Sequence, residues 1–127
     1  WLACGASVVR LQAREHDEIL AAVSHLPHVA AFALMGTLAK HKDVRRLLEF
    51  SAGGLRDTVR ISGSSPEMWR DIFLANRTAL LAAMDAYSRE IKSMRAALKA
   101  GDGDALRAMF ERARHARARW LVRAERR

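Results

Sequence analysis

Along most of the chain apolar residues recur at the three-to-four-residue spacing of helices, and strict two-residue alternation of the strand type is scarce. From Ala13 to Ser24, Ile19, Leu20, Ala22 and Val23 mark one side of such a pattern, with Glu15, Asp17 and Glu18 near its start, where carboxylates complement the helix dipole. Pro27 lacks a backbone donor and disfavours a helical residue before it. The pattern therefore predicts a first helix ending near Ser24–Leu26 and a second running from Pro27 to about Lys42. Val29, Phe32, Leu34, Met35 and Leu38 make this second helix apolar on most faces, as in a helix buried on several sides or packed against a partner subunit. Asp43 is placed to cap a shorter helix through Phe50, and Ser51-Ala52-Gly53-Gly54 opens a loop to about Ser65. Ser64 or Ser65, followed by Pro66 and Glu67, supplies cap, first-turn proline and first-turn acid for a helix bearing Met68, Trp69, Ile72 and Phe73. A long helix follows to about Ala100, striped by Leu80, Leu81, Met84, Tyr87, Ile91, Met94 and Leu98. After a turn at Gly101–Asp104, a last helix carries Leu106, Met109 and Phe110. Ahead of everything, Trp1 to Leu11 reads as a helix end, a break at Gly5 and a short extended piece over Ser7–Leu11.

The expected fold is therefore all-α and multi-helical, and 127 residues suit one ordinary domain. Residues 1–12 form a lead-in, 13–120 the helical domain and 121–127 a basic tail. The net charge of +8 is lopsided: Arg107, Arg112, Arg114, Arg117, Arg119, Arg123, Arg126 and Arg127 stand against only Glu111 and Glu125 in that stretch. A solvated helix end explains this run, and from Arg112 onward Trp120 is its only aromatic among Phe, Trp and Tyr. A basic helical nucleic-acid-binding module is the alternative function. Cys4 is the only cysteine, which excludes an internal disulfide framework and fits a cytoplasmic, reducing setting. The apolar run Val29–Leu38 is about half the ~20 residues that span a bilayer, so no membrane partner is expected.

Histidine, aspartate and arginine gather in two places. The segment EHDEILAAVSHLPH brings His16, Asp17, His25 and His28 to one helix corner; GGLRDTVRIS brings Arg56, Asp57 and Arg60 to a glycine-opened loop. His16 and Asp17 are adjacent, so they point to different faces, and no metal site is expected. His25 and His28 flank Pro27, where imidazoles can satisfy backbone groups at a helix junction. In a first turn, His28 would instead lie beside unpaired N–H groups that favour a bound carboxylate. Arg60 offers a planar fork for a carboxylate, with Asp57 placed to orient it; an ordinary surface ion pair is the plainer reading. Trp69, spaced with Ile72 and Phe73, reads as core. Gly53-Gly54 and Gly101-x-Gly103 lack a third glycine and a preceding strand, so no dinucleotide fingerprint is present.

Three ordered motifs, E-H-D-x-I-L-A-x-x-S-H-L-P-H (Glu15 to His28), A-G-G-L-R-D-T-V-R-I-S (Ala52 to Ser62) and P-E-M-W-R-D-I-F-x-x-N (Pro66 to Asn76), resemble the C-terminal helical dimerisation domain of prephenate and arogenate dehydrogenases. The likeness extends from Trp1 to about Trp120, and the opening W-x-x-C-G-A-x-V-V resembles the family's interdomain junction. It departs from the family at Leu55, where phenylalanine is frequent. The resemblance implies an intertwined homodimer within an oxidoreductase of tyrosine biosynthesis, which decarboxylates prephenate oxidatively to 4-hydroxyphenylpyruvate, with arogenate as the alternative substrate. NAD or NADP would be bound by a separate N-terminal domain that also holds the catalytic residues, so the fragment alone is expected to be inactive. By the same resemblance Arg60 pairs with a substrate carboxylate and His28 helps hold the substrate, with His16 a further cleft residue. Asp57 and Trp69 reach toward the neighbouring subunit's site, and Gly53 lies where a side chain would crowd the ligand, with tyrosine as a possible effector.

Overall fold

In a computed structural model, residues 1–124 are described, and they contain helices and turns with no strand. Leu2–Cys4 form a 3-10 turn that Gly5 ends at φ 77°, a left-handed conformation a side chain would strain. Residues 6–12 belong to no helix and pair with no strand among the described residues, and Gln12 at their end is extended (φ −68°, ψ 146°). The α-helices are α1 (Ala13–Leu20), α2 (Leu26–Ala39), α3 (Val44–Glu49), α4 (Gly53–Val59), α5 (Pro66–Ala75), α6 (Arg77–Ala100) and α7 (Gly103–Ala124).

The expected break at Pro27 does not occur. A π turn over Ala21–His25 joins α1 to α2, so one continuous helix runs from Ala13 to Ala39. The amide of Leu26 donates to the carbonyl of Ala21, five residues back instead of four. The extra residue widens the helix just where a proline ring would otherwise press on the preceding turn. That helix is long and apolar enough to cross a membrane by composition alone, but little of it is buried within the chain.

Helix α2 ends at Ala39, earlier than expected. The Asp43 side chain makes no capping bond; its backbone N–H instead donates to the His41 ring at 3.1 Å. The loop expected over 51–65 is largely helical: α4 begins at Gly53 itself and passes into a 3-10 turn, Arg60–Gly63. Both pack on α2, so tertiary contact overrides the two glycines. The start of α5 follows expectation, with the Met68 N–H donating to Ser65 Oγ and Pro66 in the first turn. At the other end of α6, Gly101 (φ 68°) reverses the chain and the Asp102 carboxylate accepts from the Ala105 N–H at 2.9 Å. Helix α7 continues to Ala124, so the tail expected from 121 is helical there; Glu125, Arg126 and Arg127 lie outside the described residues.

Contacts divide the chain into two compact units, Trp1–Met84 and Asp85–Arg127. In the first, Ala21, His25, Ala31, Trp69 and Leu80 are buried; in the second, Ala97 is. Among the described residues the fully covered core is small and rich in alanine.

Candidate functional site

The first unit's polar chemistry converges where the π turn meets α5. Trp69, one turn into α5, is 8% exposed and lies flat on the His28 ring, with centroids 3.4 Å apart and planes 23° from parallel. Phe73, one turn further on, meets the indole edge-on at 5.5 Å, and the His25 ring approaches the same indole at 6.2 Å and 79°. Four rings drawn from the π turn, α2 and α5 thus form one aromatic cluster.

The two imidazoles hold their protons on opposite nitrogens. His28 Nδ1 lies 2.9 Å from the Ser24 carbonyl. A carbonyl only accepts, so Nδ1 carries a proton, and in the neutral ring that leaves Nε2 as the acceptor. Asn76, between α5 and α6, donates from Nδ2 to the Asp17 carbonyl at 2.8 Å, which fixes its amide orientation; the same Nδ2 lies 3.2 Å from His25 Nδ1. His25 Nδ1 must then accept, and the ring is neutral with its proton on Nε2. Burial chiefly, with nearby His28 and a smaller push from His16 against the opposing charge of Asp17, holds the His25 imidazole below its ordinary range.

One physical argument from the sequence fails. His28 is not in a helix's first turn, because helical residues precede it without a break, so no cluster of free N–H groups lies beside it. What the ring offers is Nε2. The indole supplies a second polar feature: Trp69 Nε1–H is buried with no acceptor among the described residues, and leaving such a donor unpaired costs about 1–3 kcal/mol.

The other expected site residues are spread more widely. His16 lies exposed at α1, its Nδ1 3.1 Å from Asp17 Oδ1. Gly53 opens α4, where an added Cβ meets nothing within 4 Å, so any crowding there would involve a molecule other than this chain. Asp57 is exposed on α4 and Arg60 is exposed at the head of the 3-10 turn that packs on α2. No ion pair joins them among the described residues, and the expected orienting role of Asp57 toward Arg60 within one protomer is not seen. Asp57 lies on α4 and Arg60 just past its end, so the two are three residues apart along a helical backbone instead of within a loop.

His25 and Asn76 escaped the sequence reading as site residues. The signal for His25 was its place beside Pro27. For Asn76 there was only a motif position, since its partners lie 51 and 59 residues earlier in the chain. Beside them an open groove of about 740 Å³ runs between Arg14, Asp17 and Glu18 of α1 and the alanines 75, 79, 82 and 83. On α7, residues 112, 114, 117 and 119 are exposed arginines.

The family model described as prephenate dehydrogenase, dimerization domain, matches residues 12–112. The chain is 37% identical over 119 residues to a cyclohexadienyl dehydrogenase of Zymomonas mobilis, covering 92% of this chain and 41% of that protein. It is 36% identical over 110 residues to a prephenate dehydrogenase of Bacillus subtilis, covering 86% of this chain and 30% of that protein. Among solved structures, the prephenate dehydrogenase of A. aeolicus in complex with hydroxyphenyl propionate and NAD+ superimposes with a TM-score of 0.75 at 29% identity, over 91% of this chain and 40% of that one. The chain thus spans less than half the length of the relatives it matches.

Proposed function

The chain belongs to the prephenate dehydrogenase family through its dimerization domain, and from that premise we propose that it pairs two subunits and lines a cleft for prephenate or a close relative. The observation that carries the proposal is unmet apolar surface. Helix α2 is apolar all round, yet only Ala31 on it is buried. Within the first unit Ile19, Val23, Leu34, Met68 and Leu74 also stand exposed, and large apolar side chains left open in this number mark a surface that a partner covers.

In the full enzyme, a separate nucleotide-binding domain would hold NAD or NADP and the catalytic groups, and the reaction would be oxidative decarboxylation of prephenate in the cytoplasm. This chain's residues bind and orient. Prephenate is a dianion, and Arg60, exposed and without a carboxylate partner among the described residues, is free to donate a bidentate pair of hydrogen bonds to a carboxylate. His28 presents Nε2 to the same substrate, with one ring face held against Trp69. Trp69 Nε1–H, lacking an acceptor among the described residues, would find one on the substrate or the second subunit. His16, Asp57 and Gly53 complete the cleft from α1 and α4, with tyrosine binding there as an effector.

The test is twofold. Light scattering at micromolar concentration should give a dimer. In the full-length enzyme Arg60→Ala should weaken prephenate binding by about 2–5 kcal/mol, the cost of removing one partner of a desolvated ion pair. A monomer, or an unchanged KM for prephenate in Arg60→Ala, refutes the reading.

A further inference from the structure

The Asn76 amide bonds none of the expected cleft residues, yet both of its N–H groups are used beside them. One goes to the Asp17 carbonyl in α1 at 2.8 Å and the other to His25 Nδ1 in the π turn at 3.2 Å. The π turn is the part of the long helix with the weakest backbone regularity, and it carries His25 and leads directly into His28. His25, 7% exposed, stands edge-on to Trp69, whose opposite contact is the His28 ring.

We propose that Asn76 is a positioning residue for substrate binding: it fixes the His25 ring in one neutral tautomer, and His25 in turn holds the stacked His28 and Trp69 in place. The inference rests on the reading of the cleft given above. Its physical basis is that a tautomer chosen by a donor amide leaves a ring one allowed orientation. A ring so fixed can buttress an indole that the binding event needs at a set position. Charged and titratable neighbours of His25 are His28 on α2 and His16 and Asp17 on α1; Trp69, Phe73 and Asn76 face it from the other side without charge. Nothing charged among these replaces the amide if it is removed. Burial already disfavours the imidazolium, so without Asn76 the ring is free to exchange tautomers and orientations while staying neutral.

The experiment uses the full-length dehydrogenase labelled with 15N-histidine, with His25 assigned by the signal lost in His25→Gln. At neutral pH the wild type should show His25 as the Nε2–H tautomer and Asn76→Ala should show a tautomer mixture. Asn76→Ala should also raise KM for prephenate about five- to tenfold, the equivalent of one lost hydrogen bond, with kcat within about twofold. Asn76→Ala combined with His25→Gln should raise KM no further than the larger single change, because the two residues act in series. A wild-type His25 signal of the other tautomer, an unchanged KM, or additive effects of the two changes would overturn the proposal. Should Asn76→Ala fail to fold, the wild-type tautomer and the KM of His25→Gln decide it. These readouts stand apart from the Arg60→Ala test: an Arg60 result can sink the cleft while the tautomer remains as described.

Discussion

Val23 is 68% exposed in the single chain although it lies on the long helix, within the residues that the dimerization-domain model matches. If the protomer existed alone, replacing it with aspartate would be a surface change, and such changes usually alter stability by no more than about 0.5 kcal/mol. If two copies pair along this helix, Val23→Asp buries a carboxyl group that costs no less than an unpaired neutral polar group, about 1–3 kcal/mol by the mutational record. A two-fold axis places the change twice in every dimer, so the cost is about 2–6 kcal/mol. Since 1.4 kcal/mol is a factor of ten, the dimer dissociation constant should rise roughly 30-fold at the low end and by more than four decades at the high end. Sedimentation velocity over a dilution series, read beside circular dichroism, measures this. A variant that stays dimeric at the wild-type concentration range with an unchanged Tm refutes the argument that this face is covered by a second copy.

Two further outcomes follow from local geometry. The folded His25 pKa is depressed below its unfolded value near 6.5, so the neutral ring stabilises the fold fully above that value. Stability is lost as pH falls from there toward the folded value, because the unfolded chain then binds a proton more readily. Melting curves from pH 8 to pH 5 should show this decline, and His25→Gln should flatten it; an identical slope in the variant contradicts the assignment. Asp102→Ala removes the carboxylate that accepts the Ala105 N–H at the start of α7, and should cost about 1 kcal/mol in urea unfolding. No measurable change there would mean that the end of α7 is already frayed.

Much of this architecture could be read from residues because it is local. The Ser65-Pro66-Glu67 start and the Gly101 reversal each depend on a few neighbouring positions, and both stand where the pattern placed them. Pro27 misled because proline's clash has two outcomes, a broken helix or a widened turn, and the choice depends on what packs against the helix. The two glycines at 53 and 54 misled in the same way: their intrinsic helix cost of about 1 kcal/mol each is smaller than what packing on α2 returns. The Asn76 bonds were out of reach because no periodicity links residues 17, 25 and 76. The family-like motifs identified His28 and Trp69, but their direct stacking emerged only with the fold. Arg60 and Asp57 remain the opposite case, singled out by motif and left apart within one protomer.

The widened turn at Ala21–His25 sets how much sequence editing this helix can absorb. Each residue of an α-helix advances about 100° around the axis. Deleting Ala22 would let the backbone settle into regular helical bonding, a change that propensity alone would favour. The widened turn already holds one residue more than a regular one, so Leu26 would stay bonded to Ala21 and α2 would turn by much less than that angle relative to α1. A chain shortened here would keep His28 near the indole, whereas the same deletion within the regular part of α2 would swing everything after it by the full angle.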